Sequence, residues 1–196
     1  MWRWLEGHLG ISTVNEALEA IRPLIAVFAR LGVSYRVGGS VASSWHGIGR
    51  STMDIDLTAN LELSQVESLV AGLQGAYYAD AELIREALQG GQSFNLIHLE
   101  TYFKLAVFPL QPRPYEQQSF SRVVVVQQIN FVSAEDIVLK KLEWYRLSDG
   151  SERQWRDVIG VLKMQQGKLD MAYLQHWATE IGVSDLLEQV LEEGRA

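Results

Sequence analysis

The chain has 196 residues, a formal net charge of −7 and no cysteine. Apolar residues make up 47% and charged residues 21%, a globular composition that excludes intrinsic disorder. No apolar run approaches the roughly 18 residues that a membrane span needs, the apolar N-terminal stretch is too short for a signal peptide, and thiolate metal sites are excluded. The acidic balance argues against a broad nucleic-acid-binding surface but leaves room for a local basic pocket. We therefore expect a cytoplasmic globular protein with no membrane segment.

The first 132 residues alternate between helical and extended patterns. Thr13 followed by Glu16 has the spacing of a capping box and predicts that a helix starts there, while Pro23 predicts a kink or a second helix start. The proline- and glutamine-rich residues 110–121 predict a loop. Strands are predicted from alternation and from β-branched runs at 33–38, 54–60, 93–99, 103–108 and 122–132.

After residue 132 the pattern is helical to the end of the chain. Ser133 followed by Asp136 gives a second capping-box spacing, and apolar residues then recur at helical intervals. We therefore predict an α/β (α+β) fold, with a small mixed β-sheet, N-terminal helices and a helical C-terminal bundle. The expected division is an α/β core at 1–132 and a helical subdomain at 133–196 packed on it.

Two aspartates stand one residue apart in the strand predicted at 54–60. Asp54 and Asp56 therefore project from the same face of the sheet. Burying two adjacent carboxylates without a partner is costly, and Mg²⁺ removes the difficulty because it prefers hard oxygen ligands and takes substrate phosphates at its remaining positions. The pair predicts a magnesium site.

A Gly-Gly-Ser sequence lies upstream, where a strand is expected to meet a helix. Gly38 and Gly39 let backbone N–H groups approach a phosphate, the helix N-terminus favours negative charge, and Ser40 adds a hydroxyl donor. Either motif alone is more often a turn or a solvated cap. Their ordered combination favours phosphoryl-type transfer, whose catalysis consists mostly of positioning and charge neutralisation.

The stretch YRVGGSVASSWHGIGRSTMDIDLTANL, residues 35–61, resembles the signature of the nucleotidyltransferase superfamily related to DNA polymerase β. That signature is a hydrophobic residue, Gly, Gly or Ser, a spacer, and Asp-x-Asp. Two branches are similar: the AbiEii-type nucleotidyltransferases of bacterial toxin–antitoxin systems and the small antibiotic nucleotidyltransferases. The resemblance to the AbiEii type extends further, over roughly residues 33–165.

The resemblance implies roles for residues at matching positions. Asp54 and Asp56 would be the catalytic metal ligands, and Lys140 would be a supporting residue near the pocket. Its place at the border of the apolar face of its helix predicts that it points toward the Gly-Gly-Ser turn. Arg156 and Asp157 would support the pocket. The implied nucleotide-binding residues are Gly38, Gly39, Ser40, Arg50, Lys104 and Lys140.

One departure from the resemblance concerns the metal site. The relatives supply a third carboxylate from the second strand of a hairpin, in a Lys, apolar, Asp pattern, where this chain reads Lys104-Leu105-Ala106. Without that acid, two-metal chemistry lacks a ligand. Glu100 and His98 are the nearby candidates for a substitute, although histidine is a poor ligand for Mg²⁺.

The sequence thus leaves two functions open. The first is binding of a nucleoside triphosphate with Mg²⁺ and transfer of a nucleoside monophosphate to a hydroxyl of RNA or of a small molecule. The alternative is a catalytically impaired homologue that works as a nucleotide-binding or regulatory module, because Ala106 replaces the third carboxylate. A protein partner is also compatible with the sequence.

Overall fold

The computed structural model describes residues 2–195, and side chains are described for residues 14–194. Within that range no helix is both long and apolar enough to cross a membrane. The helices are α1 (Trp2–Leu31), α2 (Gly39–His46), α3 (Val66–Leu73), α4 (Ala81–Gln89), α5 (Pro114–Phe120), α6 (Ala134–Leu147), α7 (Glu152–Met164), α8 (Met171–Glu180) and α9 (Ser184–Arg195). The strands are β1 (Tyr35–Val37), β2 (Asp54–Ala59), β3 (Tyr77–Tyr78), β4 (Phe94–His98), β5 (Lys104–Pro109), β6 (Val124–Val126) and β7 (Ile129–Phe131).

The described strands form one mixed sheet in the order β3-β4-β5-β2-β1-β7-β6. The β2–β5 and β1–β7 pairs are parallel, and the other neighbours are antiparallel. The predicted fold class, a small mixed sheet followed by helices, is confirmed. The strand that bears both aspartates lies at the centre of the sheet, so the backbone beneath the predicted site is held by hydrogen bonds on both sides.

Helix α1 is continuous and corrects two expectations. It already runs through Thr13, so no helix starts there, and it continues past Pro23, so no second helix starts at the proline. A kink at Pro23 stays a prediction. An internal proline costs a helix about 3 kcal/mol or more. The helix nevertheless continues because its apolar face is buried on both sides of the proline, with Ile21, Leu24 and Phe28 fully buried.

The predicted loop at 110–121 contains helix α5, so the loop expectation was wrong. Pro114 occupies the first turn, where its missing N–H costs nothing and its fixed φ suits a helix. The helix is then held by buried polar contacts: the Arg36 guanidinium forms an ion pair with Glu116 at 3.2 Å and donates to the Ser119 hydroxyl at 2.8 Å. These long-range partners could not be read from the local sequence.

The strand predicted at 122–132 is two short strands, β6 and β7, joined by a tight turn. Gln127 and Gln128 both have positive φ, +47° and +67°, as in the two-residue turns that match the twist of a hairpin. Asn-Gly is a recognised sequence signal for such a turn and Gln-Gln is not, so the β-prone sequence predicts a single strand.

Helix α6 begins as its capping pattern predicted. The Ser133 hydroxyl accepts from the Asp136 N–H at 3.1 Å and donates to the Asp136 carboxylate at 2.7 Å. The buried Asp136 carboxylate also accepts from the Tyr173 hydroxyl at 2.7 Å, which joins α8 to the start of α6. The division of the chain at residue 132 stays a prediction.

Candidate active site

Strand β2 presents both aspartates on one face. Ile55 and Leu57 are buried, whereas Asp54 is exposed and Asp56 and Thr58 are half-buried. Since side chains alternate along a strand, the last three share a face that opens to solvent. The two aspartate side chains therefore share the open face of the strand, as their spacing predicted.

The Gly-Gly-Ser turn lies directly against Asp56. The Gly38 N–H donates to the Asp56 carbonyl at 2.8 Å, and Gly39, the first residue of α2, has a φ of +56°. A Cβ on Gly39 would lie 1.9 Å from the Asp56 Oδ2. Only glycine fits, because both the left-handed backbone and the contact with the carboxylate exclude a side chain.

A carboxylate on α7, Asp157, forms ion pairs with two cationic side chains near the Gly-Gly-Ser turn. The Asp157 Oδ1 accepts from the Arg50 Nε at 3.0 Å, and its Oδ2 accepts from the Lys141 Nζ at 2.7 Å. The Arg50 guanidinium also donates to the Ser40 hydroxyl, and Ser43 donates to Asp157 at 3.4 Å. Arginine, lysine and hydroxyl donors thus converge beside the N-terminus of α2.

The pKa directions follow from this arrangement. Burial opposes ionisation of Asp157, but Arg50 and Lys141 overcome it and hold the pKa of Asp157 below its ordinary value. Burial lowers the pKa of Lys141 although Asp157 opposes the change. Burial raises the pKa of Asp56, against the charge of Lys141. An added cation would relieve the cost of keeping Asp56 ionised.

Lys104 pairs with the first aspartate of the motif. It lies beside Asp54 in the parallel β2–β5 register, and its Nζ lies 2.8 Å from the Asp54 Oδ1. The hydrogen bond and the charge of Asp54 raise the pKa of Lys104. Lys104 is therefore held at the aspartate pair rather than at the Gly-Gly-Ser turn.

Lys140 has carboxylate partners on both sides. Its ammonium contacts Glu116 and lies 3.1 Å from the Glu143 carboxylate. Glu116 is the same carboxylate that pairs with the fully buried Arg36. Lys140 faces the cleft that the Gly-Gly-Ser turn also lines, but its charge is already compensated.

The cleft has a volume of ≈ 510 Å³. Of the predicted site residues, Asp54, Arg50 and Lys104 are not among those that line it. Its lining residues are Arg36, Gly38, Gly39, Ser40, Asp56, Leu57, Thr58, Gly91, Phe108, Pro109, Gln111, Glu116, Val132, Ile137, Lys140, Lys141, Trp144 and Gln154.

Sequence reasoning selected Lys140 and missed Lys141, which is buried and bonded to Asp157. A signal was present. Lys141 stands four residues after Ile137 and three after Val138, on the apolar stripe of α6. A lysine in such a stripe indicates a buried ion pair, because an unpaired buried charge is too costly.

Among the described side chains, no acid takes the place of the third carboxylate that the resemblance implies. Ala106 lies beside Asp56 on one side and Asn95 on the other. His98 is buried on the opposite face of β4, where its Nδ1 accepts from the Thr101 N–H at 3.2 Å. Glu100 is exposed in the turn after β4. Across the described side chains, no three His, Asp or Glu residues cluster as a metal site.

The mixed sheet and the helices around it form a nucleotidyltransferase-like fold, which solved structures share. One is the antibiotic-resistance factor ANT(2″)-Ia in solution, with 12% identity, a TM-score of 0.53, and coverage of 89% of this chain and 98% of that one. The crystal structure of ANT(2″)-Ia in complex with adenylyl-2″-tobramycin has 13% identity and a TM-score of 0.51, and the match covers 85% of this chain and 97% of that one.

An antigenic nucleotidyltransferase-like protein from Paracoccidioides brasiliensis gives 16% identity, a TM-score of 0.50, and coverage of 94% and 92%. At these identities the likeness establishes the fold alone. No family model matches the chain, and no curated protein matches it. None of the three neighbours is described as AbiEii-type.

Proposed function

We propose that this protein binds a nucleoside triphosphate with Mg²⁺ and transfers a nucleoside monophosphate to a hydroxyl group. The observation that supports it best is the contact between Gly39 and Asp56. A turn that accepts only glycine lies against a carboxylate whose strand presents a second one, Asp54, on the same face. Backbone N–H groups suited to phosphate would thereby lie next to carboxylates suited to a metal ion, which is the pairing that phosphoryl-type transfer requires.

The donor set fits magnesium. Asp54 and Asp56 offer hard carboxylate oxygens on one face of β2, and the missing side chain of Gly39 leaves the Asp56 carboxylate in its place against the turn. These two residues would hold the ion, and it would supply charge neutralisation at the phosphates. The Gly39 N–H, Ser40 and Arg50 would bind phosphate oxygens. Lys140 would lie further along the cleft.

In the transfer, the acceptor hydroxyl oxygen bonds to the α-phosphorus. The bond from that phosphorus to the bridging oxygen breaks, pyrophosphate leaves, and the hydroxyl proton passes to water. The acceptor is RNA, if the chain is a toxin-like relative of the AbiEii type, or a small molecule. One structural neighbour is in complex with adenylyl-2″-tobramycin, which makes a small-molecule hydroxyl a concrete acceptor to test.

The second candidate is a nucleotide-binding or regulatory module without transfer activity. Ala106 favours it, because the position beside Asp56 holds a methyl group where the resemblance implies an acid. Loss of a residue that merely supports metal ligands reduces affinity or activity about 10–100-fold, so loss of a ligand costs at least as much.

Calorimetric titration with a nucleoside triphosphate, with and without Mg²⁺, tests both candidates. Wild type should bind only with Mg²⁺, and the double change Asp54→Asn with Asp56→Asn should remove that dependence. A matched control removes two exposed charges from α9, Glu188→Gln with Glu192→Gln, and should behave as wild type. Equal binding by wild type and the aspartate variant would contradict the site.

Labelled nucleotide, offered with mixed RNA and with a panel of hydroxyl-bearing small molecules, separates the two candidates. Label transferred to either acceptor class supports the enzyme. Mg²⁺-dependent binding without transfer to any of them supports the module.

A further inference from the structure

The position next to the aspartate pair is occupied by a cation from the chain itself. The Lys104 Nζ lies 2.8 Å from the Asp54 Oδ1, and the two side chains are 47% and 59% exposed. Ion pairs this exposed contribute little to stability. The pair therefore contributes little to the stability of the fold, and it lies on the face of the sheet that bears both aspartates.

Asp56 and the residues paired with it across β5 and β4 form the next set of neighbours on this face, and Asp56 is the charged residue among them. Asp56 lies beside Ala106, and Ala106 lies beside Asn95. Paired residues on adjacent strands point to the same face, so these three side chains share the face of the site. The described part of the chain offers no third acid there. A second divalent cation beside Asp56 would lack the carboxylate that it needs.

We propose that this site holds one Mg²⁺ per chain rather than two, and that the Lys104 ammonium supplies the positive charge in place of the second ion. The inference rests on the proposed nucleotide binding. An ammonium is a compact point charge that can neutralise a carboxylate or a phosphate oxygen. It offers no coordination to the acceptor hydroxyl, so the ammonium replaces the charge of a metal ion and not its ability to polarise a bound oxygen.

Metal stoichiometry tests the inference without any need for transfer. Mn²⁺ would be titrated into the protein saturated with an α,β-methylene nucleoside triphosphate, which cannot transfer its nucleotide, and free Mn²⁺ would be measured by electron paramagnetic resonance. Wild type should bind one ion per chain. Ala106→Asp should bind two, and the matched neutral change Ala106→Asn should still bind one.

The lysine is tested separately, so the inference does not depend on the folding of the Ala106 variants. Lys104→Met leaves the charge of Asp54 uncompensated. The affinity for the analogue should fall about fivefold and the affinity for Mn²⁺ without nucleotide should rise about fivefold, as a unit charge a few ångström away predicts in a solvated site. Lys163→Met removes an exposed helical lysine elsewhere and should change neither.

Two bound Mn²⁺ ions per wild-type chain would overturn the inference, as would a Lys104→Met variant that behaves like Lys163→Met. A wild-type chain that binds neither analogue nor Mn²⁺ would instead contradict the proposed function. The failure of one is thereby distinguished from the failure of the other.

Discussion

Gly39→Ala is the sharpest perturbation of the site, because the structure says where the added methyl group goes. The φ of +56° places residue 39 in the left-handed region, and the new Cβ would lie 1.9 Å from the Asp56 Oδ2. Either the carboxylate rotates away or the turn opens. Both movements separate the phosphate-binding turn from a metal ligand.

The expected loss of stability has two parts. A non-glycine residue in the left-handed region costs about 1–2 kcal/mol, and forcing the Asp56 side chain off its rotamer costs about 0.5–1.5 kcal/mol. Their sum, about 1.5–3.5 kcal/mol, should appear in the free energy of unfolding measured with urea. Nucleotide binding with Mg²⁺ should weaken by at least about 10–100-fold, since a metal ligand is displaced.

Gly32→Ala is the matched control. Gly32 has a similar φ of +68°, but a Cβ there would meet nothing within 4 Å. The free energy of unfolding of Gly32→Ala should fall only by the cost of the left-handed backbone, about 1–2 kcal/mol, and the variant should bind nucleotide as wild type does. Gly39→Ala and Gly32→Ala could instead show the same free energy of unfolding and the same affinity for nucleotide. In that case the contact between the turn and Asp56 has no functional role, and the reasoning is refuted.

Two further changes test the buried charges behind the site. Asp157→Asn removes one partner of a buried ion pair and should cost about 3–5 kcal/mol at neutral pH, whereas Arg156→Gln, which breaks only an exposed pair with Glu152, should cost less than about 1 kcal/mol. The folded pKa of Asp157 lies below its ordinary 3.8; its contribution is therefore complete above that value and lost as pH falls through the folded pKa. The unfolding free energies of wild type and Asp157→Asn should converge below about pH 4, and a constant gap down to pH 2 would contradict the assignment. Glu116→Gln leaves the guanidinium of Arg36, 1% exposed, without its counter-ion, and should lower the unfolding free energy by about 3–5 kcal/mol; an unchanged urea midpoint would show that Arg36 does not need this carboxylate.

The sequence predicted those features that depend on local periodicity and spacing. The strand at 54–59, the glycine turn and the capped start of α6 follow from neighbouring residues. Helix α5 could not be predicted from neighbouring residues, because it depends on contacts with Arg36, which is distant in the chain. The β6–β7 turn was missed because glutamine seldom adopts positive φ.

The candidate site shows the same limit. The Asp-x-Asp and Gly-Gly-Ser motifs were recognisable because each is a short sequence with its own chemistry. The partners of Lys140 and Lys141 depend on which elements the fold brings together, so that one lysine meets Glu116 and the other meets Asp157. The position of Ala106 was read from a resemblance, and the β2–β5 register then placed it beside Asp56.

The Asp157 cluster has a consequence for any attempt to move this site into another protein. Its cations come from Arg50, in the loop before β2, and from Lys141 on α6, while the carboxylate itself stands on α7. Residues 35–61 contain the complete recognisable motif but only one member of that trio. A graft of this stretch onto a foreign sheet would present Arg50 and Ser40 without the anion that orients them. The motif therefore cannot be expected to work when it is transferred alone, because the residues that orient it stand on α6 and α7, which begin about a hundred residues later in the chain.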